Sequence, residues 1–438
     1  MNRRNFLKNS AMGVVGAGVL GQAPLLNAED KTVKTPATAV APEKIKAYRT
    51  LGRTDFKVSD IATGGNPNPA VLKAVLEAGV NYIDTAESYG NGESEKTTGS
   101  VIKDFNRKSL FITSKLNLQK GSSKENILER THKCLERLQT DYIDCMMIHG
   151  PQTSEEVKTE GFHEAMKQLK SEGKIRWVGI SNHGATYGPV AEPMEKVLLA
   201  AAADGRFDVM LLVYNFIQQE SGERVLNACA DKNIGCTLMK TKPVEKYLIM
   251  KEMVEERAKK EGKEIAEETK KLLDGFKERA DMAAEFMKKN NITDPREIRD
   301  AAIRFVLKNP KVHTVCINFR NFDDIDPFIK LSGSPMTAGD EKKLTLYREG
   351  CGSFYCRHAC GVCESRCPHG VPVNTVMRYN HYFEFQGREK EAMGKYAALP
   401  TPKAGLCETC AGFCQAACPY NVQIHGLLSH AHRNLTLA

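Results

Sequence analysis

Short apolar segments alternate with amphipathic segments along most of the chain. From Tyr48 onward the order is "VSDIATGG", then "NPAVLKAVLEAG", then "VNYIDTA". A short apolar run bounded by turn residues is typical of a buried strand, whereas apolar positions three and four residues apart are typical of a helix with one buried face. The pattern therefore predicts strands and helices in alternation.

Six further apolar segments continue this alternation: "SLFITSK", "YIDCMMIHG", "IRWVGISN", "FDVMLLVYN", "IGCTLMK" and "VHTVCIN". With the first two they make eight β units, each separated from the next by helix-length sequence. Eight parallel strands joined by crossover helices form a closed (β/α)8 TIM barrel. An open doubly wound sheet is the competing α/β architecture, but no G-x-G-x-x-G motif follows an early strand. We therefore expect a TIM barrel over residues 48–349.

One charged segment interrupts the barrel pattern after the seventh predicted strand. Residues 243–299 are rich in Lys and Glu and are helical in pattern. One interpretation is a pair of solvated helices stabilised by charge pairs four residues apart. The other is a lid, because the segment follows a strand on the face where barrel active sites lie. Both interpretations stay open.

The N-terminus combines a basic motif with a weakly apolar run. The motif "NRRNFLK" precedes small, Gly-rich apolar residues from Ala11 to about Leu26, too few for a good membrane span. Residues 1–28 resemble a twin-arginine signal peptide, with Leu26-Asn27-Ala28 as the cleavage site. The resemblance implies a periplasmic or other extracytoplasmic protein that is exported already folded. A basic, disordered N-terminus is the alternative.

Composition and charge exclude only a few classes of partner. The chain has 438 residues and a formal net charge of +8, but its basic residues alternate with acidic ones, so we expect no nucleic-acid partner. Residues 29–47 are polar and rich in Pro, Ala and Thr, which predicts a linker. No apolar run after the signal is long enough to cross a bilayer, so we expect no integral membrane segment once the signal is removed.

Reactive side chains stand at the carboxyl ends of three consecutive predicted strands. Asp84 and Tyr89 follow "NYIDTAESYG", Lys115 ends "LFITSK", and His149 ends "YIDCMMIHG". Barrel enzymes keep their chemistry at this end of the barrel. A Lys ammonium beside Tyr89 favours the phenolate and is expected to lower the phenol pKa. The four residues are candidates for a catalytic tetrad with Tyr89 as proton donor.

These residues lie in motifs of a known family. The chain from Tyr48 to about residue 335 resembles the aldo-keto reductases in "LGRTDFKVSDIATGG", "GVNYIDTAESYGNGESE", "FITSKL", "LERLQTDYIDCMMIHG" and "KIRWVGISN". The resemblance implies that NADPH delivers hydride to a carbonyl carbon while Tyr89 protonates the oxygen. It also implies that Ser181 and Asn182 bind the nicotinamide carboxamide.

The chain departs from the family where the nucleotide would bind. Leu211 occupies the position of a common Gln, and Met239 or a neighbouring Lys replaces the aromatic residue that stacks on nicotinamide. After the eighth strand the usual Gly is missing, and the basic contact with a 2'-phosphate is missing unless Arg320 provides it. NADPH is therefore implied by the resemblance alone, and absent nucleotide binding stays open.

Nine of the fourteen cysteines fall in the last 88 residues, which predicts a separate domain over residues 350–438. Eight of these nine form two sets, each ending in Cys-Pro: Cys356, Cys360, Cys363 and Cys367; Cys407, Cys410, Cys414 and Cys418. Both resemble the bacterial ferredoxin motif C-x2-C-x2-C-x3-C-P with one lengthened spacer. The resemblance implies a small, mainly helical ferredoxin-like domain with two 4Fe-4S clusters. In a crossed pairing, Cys418 joins the first three cysteines of the first set and Cys367 those of the second; uncrossed quartets use the same eight.

Zinc and disulfides are the alternatives for these cysteines. Zinc takes four ligands per site, but the terminal Cys-Pro favours clusters. Disulfides fit an oxidising compartment, yet cysteines this closely spaced pair poorly with each other. Cys351 is a ninth cysteine and a possible spare thiol. Core packing accounts better for the cysteines of the barrel, which are Cys134, Cys145, Cys229, Cys236 and Cys316.

Two functional hypotheses follow. The first is an exported oxidoreductase that interconverts a small carbonyl compound and an alcohol, with clusters for electron transfer to a redox partner protein. Because hydride carries two electrons and a 4Fe-4S cluster passes one, a bound flavin stays open as a further cofactor. The second hypothesis is an electron-carrier or partner-binding subunit whose barrel is not catalytic and whose clusters are structural.

Overall fold

The structure is a computed structural model that describes residues 42–65, 68–118, 122–183, 192–243, 285–386, 388–400 and 402–436. The predicted signal peptide (1–28), most of the linker (29–47) and residues 244–284 of the charged insertion lie outside the described residues. The same holds for the Cys351 side chain.

Eight parallel strands close a barrel, as the alternation predicts. The strands follow one another around the barrel in chain order, and the last strand pairs with the first. The strands are β3 (Ile61–Gly64), β4 (Tyr82–Asp84), β5 (Phe111–Leu116), β6 (Ile143–His149), β7 (Ile175–Asn182), β8 (Val209–Val213), β9 (Gly235–Met239) and β10 (Thr314–Ile317). All eight coincide with the predicted segments, so the TIM barrel is confirmed.

Amphipathic helices surround the barrel. The described helices up to the barrel's end are α1 (Pro69–Glu77), α2 (Glu93–Ile102), α3 (Lys124–Leu138), α4 (Glu160–Ser171), α5 (Met194–Asp204), α6 (Glu220–Ala230), α7 (Pro295–Lys308), α8 (Ile325–Ile329) and α9 (Ala338–Cys351). In α3 the buried residues include Ile127, Thr131 and Leu135, spaced four apart, so that one stripe faces the strands. Its Ser123 side chain accepts from the Asn126 N–H and caps the helix.

A two-stranded hairpin that the sequence pattern does not predict closes the amino-terminal end of the barrel. Strand β1 (Tyr48–Thr50) pairs antiparallel with β2 (Lys57–Ser59). The turn between them places Gly52 at φ +50°, where an added Cβ would come within 2.3 Å of the Gly235 backbone nitrogen. Only glycine fits such an approach. Leu51 and Val58 then complete the apolar interior of the barrel.

The C-terminal residues form a helical segment with its own apolar core. Its helices are α10 (Val373–Gln386), α11 (Glu389–Ala397), α12 (Phe413–Ala416) and α13 (Ile424–Leu435). The core includes Val376, Tyr396 and Leu428, and the Tyr396 hydroxyl lies 2.7 Å from His432 Nδ1. The predicted helical character of the tail is therefore confirmed.

The C-terminal segment also packs against the carboxyl end of the barrel. Gln218 Nε2, after β8, donates to the His358 carbonyl at 2.6 Å, and the Met194 N–H donates to the Ala359 carbonyl at 3.1 Å. Lys240, directly after β9, places its Nζ 5.5 Å from the centre of the Tyr382 ring. The tail therefore reaches the end of the barrel where the predicted tetrad lies.

The barrel cysteines pack as the sequence predicts. Cys134, Cys145, Cys229 and Cys236 are buried, Cys316 is half-buried, and all five are free thiols. Among the described residues, no helix combines the length and the apolar character that crossing a membrane requires.

Candidate active site

A buried ion pair lies at the base of the predicted tetrad. Lys115 Nζ, at 0% side-chain exposure, lies 2.7 Å from Asp84 Oδ2 and donates to the Thr85 carbonyl at 2.7 Å. Burial alone would lower the pKa of Lys115, but the Asp84 carboxylate and Tyr89 raise it above its ordinary value. Lys115 therefore carries its positive charge inside the barrel, and Asp84 makes this possible.

Tyr89 and His149 complete the group at the mouth of the barrel. Tyr89 follows β4, and the centre of its ring lies 4.8 Å from Lys115 Nζ. Its ring meets the His149 ring edge to face, with centres 5.7 Å apart. His149 ends β6, and its Nδ1 lies 3.4 Å from Ser88 Oγ. The structure thus brings all four predicted residues together, because neighbouring parallel strands end at the same edge.

The prediction that the pKa of Tyr89 is lowered is wrong. Burial raises the pKa of Tyr89, and Lys115 opposes that rise without overcoming it; Asp84 and Tyr382 add to the rise. The sequence indicates the nearby cation but not how completely the site is desolvated. Tyr89 is consequently a neutral phenol at physiological pH, the form that can donate a proton.

His149 is held neutral. Burial is the main reason that its pKa lies well below the ordinary value, and the positive charges of Lys115, Lys395 and Arg378 lower it further. Lys395 and Arg378 belong to the C-terminal segment. The tail therefore influences the electrostatics of the tetrad directly.

The residues of the predicted nicotinamide site lie beside the tetrad. Ser181 and Asn182 end β7 and are both buried, and Asn182 Nδ2 donates to the Pro151 carbonyl at 2.8 Å. Leu211 is buried in the barrel interior, so it offers no polar contact. Arg320 pairs with Asp324, with Nε 3.4 Å from Oδ2. The side chains fit the nicotinamide end of a dinucleotide better than its 2'-phosphate end.

Several side chains at the mouth are missing from the sequence-based set. His358 and His381 meet edge to face with ring centres 5.1 Å apart, and the next residue, Tyr382, lies near Lys240. His183 follows Asn182, and its buried Nδ1 has no hydrogen-bond partner among the described residues. Only a weak signal for them was available in the sequence. Arg378 is a charged residue of the predicted helix "VNTVMRYNHYFEF", and full burial is unusual for such a residue, although Thr375, Asn380 and Glu384 of the same helix are buried too.

The eight tail cysteines lie in two groups, and each group takes one member from the other sequence motif. Burial is the main reason that the pKa of Cys356 lies well above its ordinary value. The neighbouring thiols Cys363, Cys360 and Cys418 raise it further. All four of these cysteines also line one cavity of about 20 Å³. Cys418 therefore lies beside the first three cysteines of the first motif, although it belongs to the second motif in the sequence.

The second group is arranged in the same way. Burial, followed by Cys414, Cys367 and Cys410, raises the pKa of Cys407 to about 12. All eight cysteines are free thiols. Within the described ranges, no three His, Cys, Asp or Glu side chains converge closely enough to hold a single metal ion. The neighbours of Cys356, Cys360, Cys407 and Cys414 belong to the same crossed set as the thiol itself, whereas Cys363 also has Cys414 of the other set as a neighbour.

Comparisons with known proteins agree on the barrel. The family model described as "Aldo/keto reductase family" matches residues 67–344. The chain is similar to aldo-keto reductase YhdN of Bacillus subtilis, at 26% identity over 324 residues, covering 71% of this chain and 93% of that protein. It is also similar to methylglyoxal reductase DkgB of Escherichia coli O157:H7, at 35% identity over 135 residues, covering 30% of this chain and 47% of that protein.

A solved structure shares the fold. The holo form of aldo-keto reductase AKR11C1 from Bacillus halodurans matches with a TM-score of 0.50 and 21% identity, covering 69% of this chain and 95% of that chain. The family match ends at residue 344, so the cysteine-rich segment lies beyond it.

The buried ion pair generates a stability prediction. We expect Asp84→Asn to lower the free energy of unfolding by about 3–5 kcal/mol, because it leaves the Lys115 charge buried without a carboxylate. Urea denaturation followed by circular dichroism measures the loss. The double variant Asp84→Asn/Lys115→Met should recover much of it, since no unpaired charge remains.

Lys73→Met is the matched control. It removes an ion pair of similar length, 2.8 Å to Asp104, but on the surface. The control should lose only a small fraction of what Asp84→Asn loses. Equal losses in the two variants would contradict the importance of burial for the Asp84 and Lys115 pair.

Proposed function

Since the chain belongs to the aldo/keto reductase family and is an oxidoreductase, we propose that it reduces the carbonyl group of a small compound, with Tyr89 as proton donor. The observation that carries this proposal is the juxtaposition of Tyr89, His149 and the Asp84–Lys115 pair at the barrel mouth. These are the groups that carbonyl reduction needs: an acid, a hydrogen-bond donor to oxygen and a charge that stabilises the conjugate base.

The charge state of each tetrad residue decides its role in the proposed reaction. Tyr89 donates its proton to the carbonyl oxygen and becomes a phenolate, which the neighbouring Lys115 ammonium stabilises. Asp84 keeps Lys115 protonated. Neutral His149 donates a hydrogen bond to the same oxygen from the ring nitrogen that carries the proton, and so orients the carbonyl. Tyr89 then regains a proton from solvent, which balances the proton given to the alcohol.

NADPH, when bound, supplies the hydride for the carbonyl carbon. Ser181 and Asn182 would hold its nicotinamide end, since both are buried polar residues at the strand end beside the tetrad. Leu211, which pairs with Ser181 in the sheet, removes a polar contact at the nicotinamide end, and the ion pair of Arg320 with Asp324 makes the contact with a 2'-phosphate weaker than the family expectation.

We further propose that the tail cysteines hold two 4Fe-4S clusters in the crossed pairing. A single zinc ion draws sulfur ligands to about 2.3 Å. A cubane of four irons and four sulfides is larger and holds its thiolates farther apart. Among the described residues no three such side chains converge as a single zinc ion requires, and the Cys-Pro that ends each motif favours the cluster. When bound, the clusters supply one-electron transfer.

A second candidate function is an electron carrier or partner-binding subunit with a non-catalytic barrel. It is favoured by Leu211, which removes a polar contact from the nucleotide site, and by the tail residues at the barrel mouth. Titration with NADPH separates the two candidates, because a reductase binds it at about micromolar concentration and a carrier does not.

We also propose export by the twin-arginine pathway to the periplasm. The support is the motif "NRRNFLK" before a short apolar run. Cluster insertion in the reducing cytoplasm before export would reconcile the cysteines with an extracytoplasmic site. Retention of an Arg3→Lys/Arg4→Lys variant in the cytoplasmic fraction tests export, and unchanged fractionation argues against it.

The proton-donor role of Tyr89 predicts a large catalytic loss. We expect Tyr89→Phe to lower kcat for aldehyde reduction with NADPH by about 10²- to 10⁴-fold, because the variant has no proton to donate. NADPH affinity should stay unchanged. Tyr142→Phe is the control, since Tyr142 packs between Arg107 and Arg176, away from the mouth. Full activity in Tyr89→Phe would refute the role.

The pKa directions predict a flat pH profile for reduction. Tyr89 titrates above its ordinary pKa, so it stays protonated below about pH 9. His149 titrates well below its ordinary pKa, so it stays neutral above about pH 6. We therefore expect kcat/KM to be constant between these limits. A titration with a midpoint near the ordinary histidine pKa would contradict the neutral state of His149.

The cluster proposal predicts the metal content. Anaerobically purified protein should contain about eight irons and eight sulfides per chain, with the visible and EPR spectra of cubane clusters. Cys418→Ser should lose about four irons, whereas the barrel control Cys316→Ser should lose none. Zinc without iron would overturn the redox proposal.

A further inference from the structure

One arginine in the C-terminal segment is buried without a partner. Arg378, on α10, is 1% exposed, and its Nε, Nη1 and Nη2 have no hydrogen-bond partner among the described residues. The nearby Glu364 carboxylate accepts a hydrogen bond from the Asn374 N–H, and Arg378 opposes the rise that burial causes in its pKa without being hydrogen-bonded to it. The guanidinium also lies 5.5 Å from the centre of the Tyr379 ring. A guanidinium stays charged in proteins, and burying its N–H donors without hydrogen-bond acceptors is costly. An anion that joins Arg378 in the working protein would remove this cost.

Arg378 faces the mouth of the barrel. It lies three and four residues before His381 and Tyr382 on α10, so the three share one side of the helix. His381 packs against His358, and Tyr382 lies near Lys240 after β9. The positive charge of Arg378 also reaches His149 and His183 at the ends of β6 and β7. The unpaired guanidinium therefore belongs to the surroundings of the tetrad.

The same place contains a second unpaired polar atom. His183 Nδ1 is buried and has no partner within the described part of the chain. In the tautomer protonated at Nδ1 it donates a hydrogen bond, as Arg378 does. The charged groups that act on His183 are Arg378 and Lys240, which are both cations, whereas the unpartnered Oε1 of Gln218 nearby is a neutral acceptor. Such a lining fits a small anion.

We propose that Arg378 binds a carboxylate of the substrate, so that the protein acts on carbonyl compounds that also carry an acidic group. The inference rests on the proposed reductase function and names its substrate class. A guanidinium suits this role because its planar N–H groups match both oxygens of a carboxylate. A phosphate of the nucleotide is the other source of the same chemistry. The substrate is favoured because Arg378 lies close to His149, which faces the reacting carbonyl.

Paired substrates test the proposal in the holoprotein. The pairs are pyruvate with methyl pyruvate, 4-carboxybenzaldehyde with its methyl ester, and succinic semialdehyde with butanal. For at least one pair we expect kcat/KM to favour the acid by about 10- to 100-fold, the usual worth of a hydrogen-bonded charge. Arg378→Met should abolish that preference, whereas Arg433→Met, an exposed arginine of α13, should keep it.

Binding provides a readout besides activity. Calorimetric titration with oxamate and benzoate, two unreactive carboxylates, should detect binding to the wild type and to Arg433→Met but not to Arg378→Met. Arg378→Lys keeps the charge without the planar fork, so it should keep part of the acid preference. This variant and the wild-type pairs keep the test valid if Arg378→Met does not fold.

The outcomes separate this inference from the reductase proposal. Reduction of acids and neutral compounds alike, unchanged in Arg378→Met, overturns the inference and leaves the reductase. Arg378-dependent binding of carboxylates without turnover of any carbonyl supports the anion site and overturns the reductase. Weaker NADPH binding in Arg378→Met, with an unchanged acid preference, overturns the substrate assignment in favour of a nucleotide phosphate.

Discussion

A positive charge inside an apolar barrel is the constraint on which the rest of this structure depends. Lys115 has 0% side-chain exposure, and its only charged partner among the described contacts is Asp84 at 2.7 Å. That ion pair needs a dry surrounding to act strongly on Tyr89, since water would screen it. The closed strand order, the hairpin at one end and the tail at the other together provide such a surrounding.

Desolvation explains why the two acid–base residues have opposite pKa shifts. Burial disfavours the charged form of each, so the phenol of Tyr89 titrates higher and the imidazole of His149 titrates lower. Both residues are therefore neutral over the same wide range of pH. The Lys115 cation beside Tyr89 would therefore act on the charge that develops in the proposed reaction rather than on the resting charges.

The barrel and its tetrad could be predicted from the sequence, because each depends on short apolar runs and on the residues that end them. An apolar run such as "YIDCMMIHG" predicts a strand that ends in His149, and parallel strands end at one edge. The hairpin of β1 and β2 was missed because its strands have three residues each, too short for a period. The direction of the Tyr89 shift was missed because burial depends on the tail, which is distant in sequence. Arg378 is one of several buried polar or charged residues of α10, so the sequence alone does not single it out.

The tail residues that contact the barrel mouth lie beyond the region that the family model matches. The groups proposed to transfer the proton and the tail groups at the mouth therefore come from separate stretches of one chain. Replacement of the tail in evolution would change which molecules enter while leaving Asp84, Tyr89, Lys115 and His149 untouched. The reaction type and the choice of substrate can then change independently of each other in such a chain.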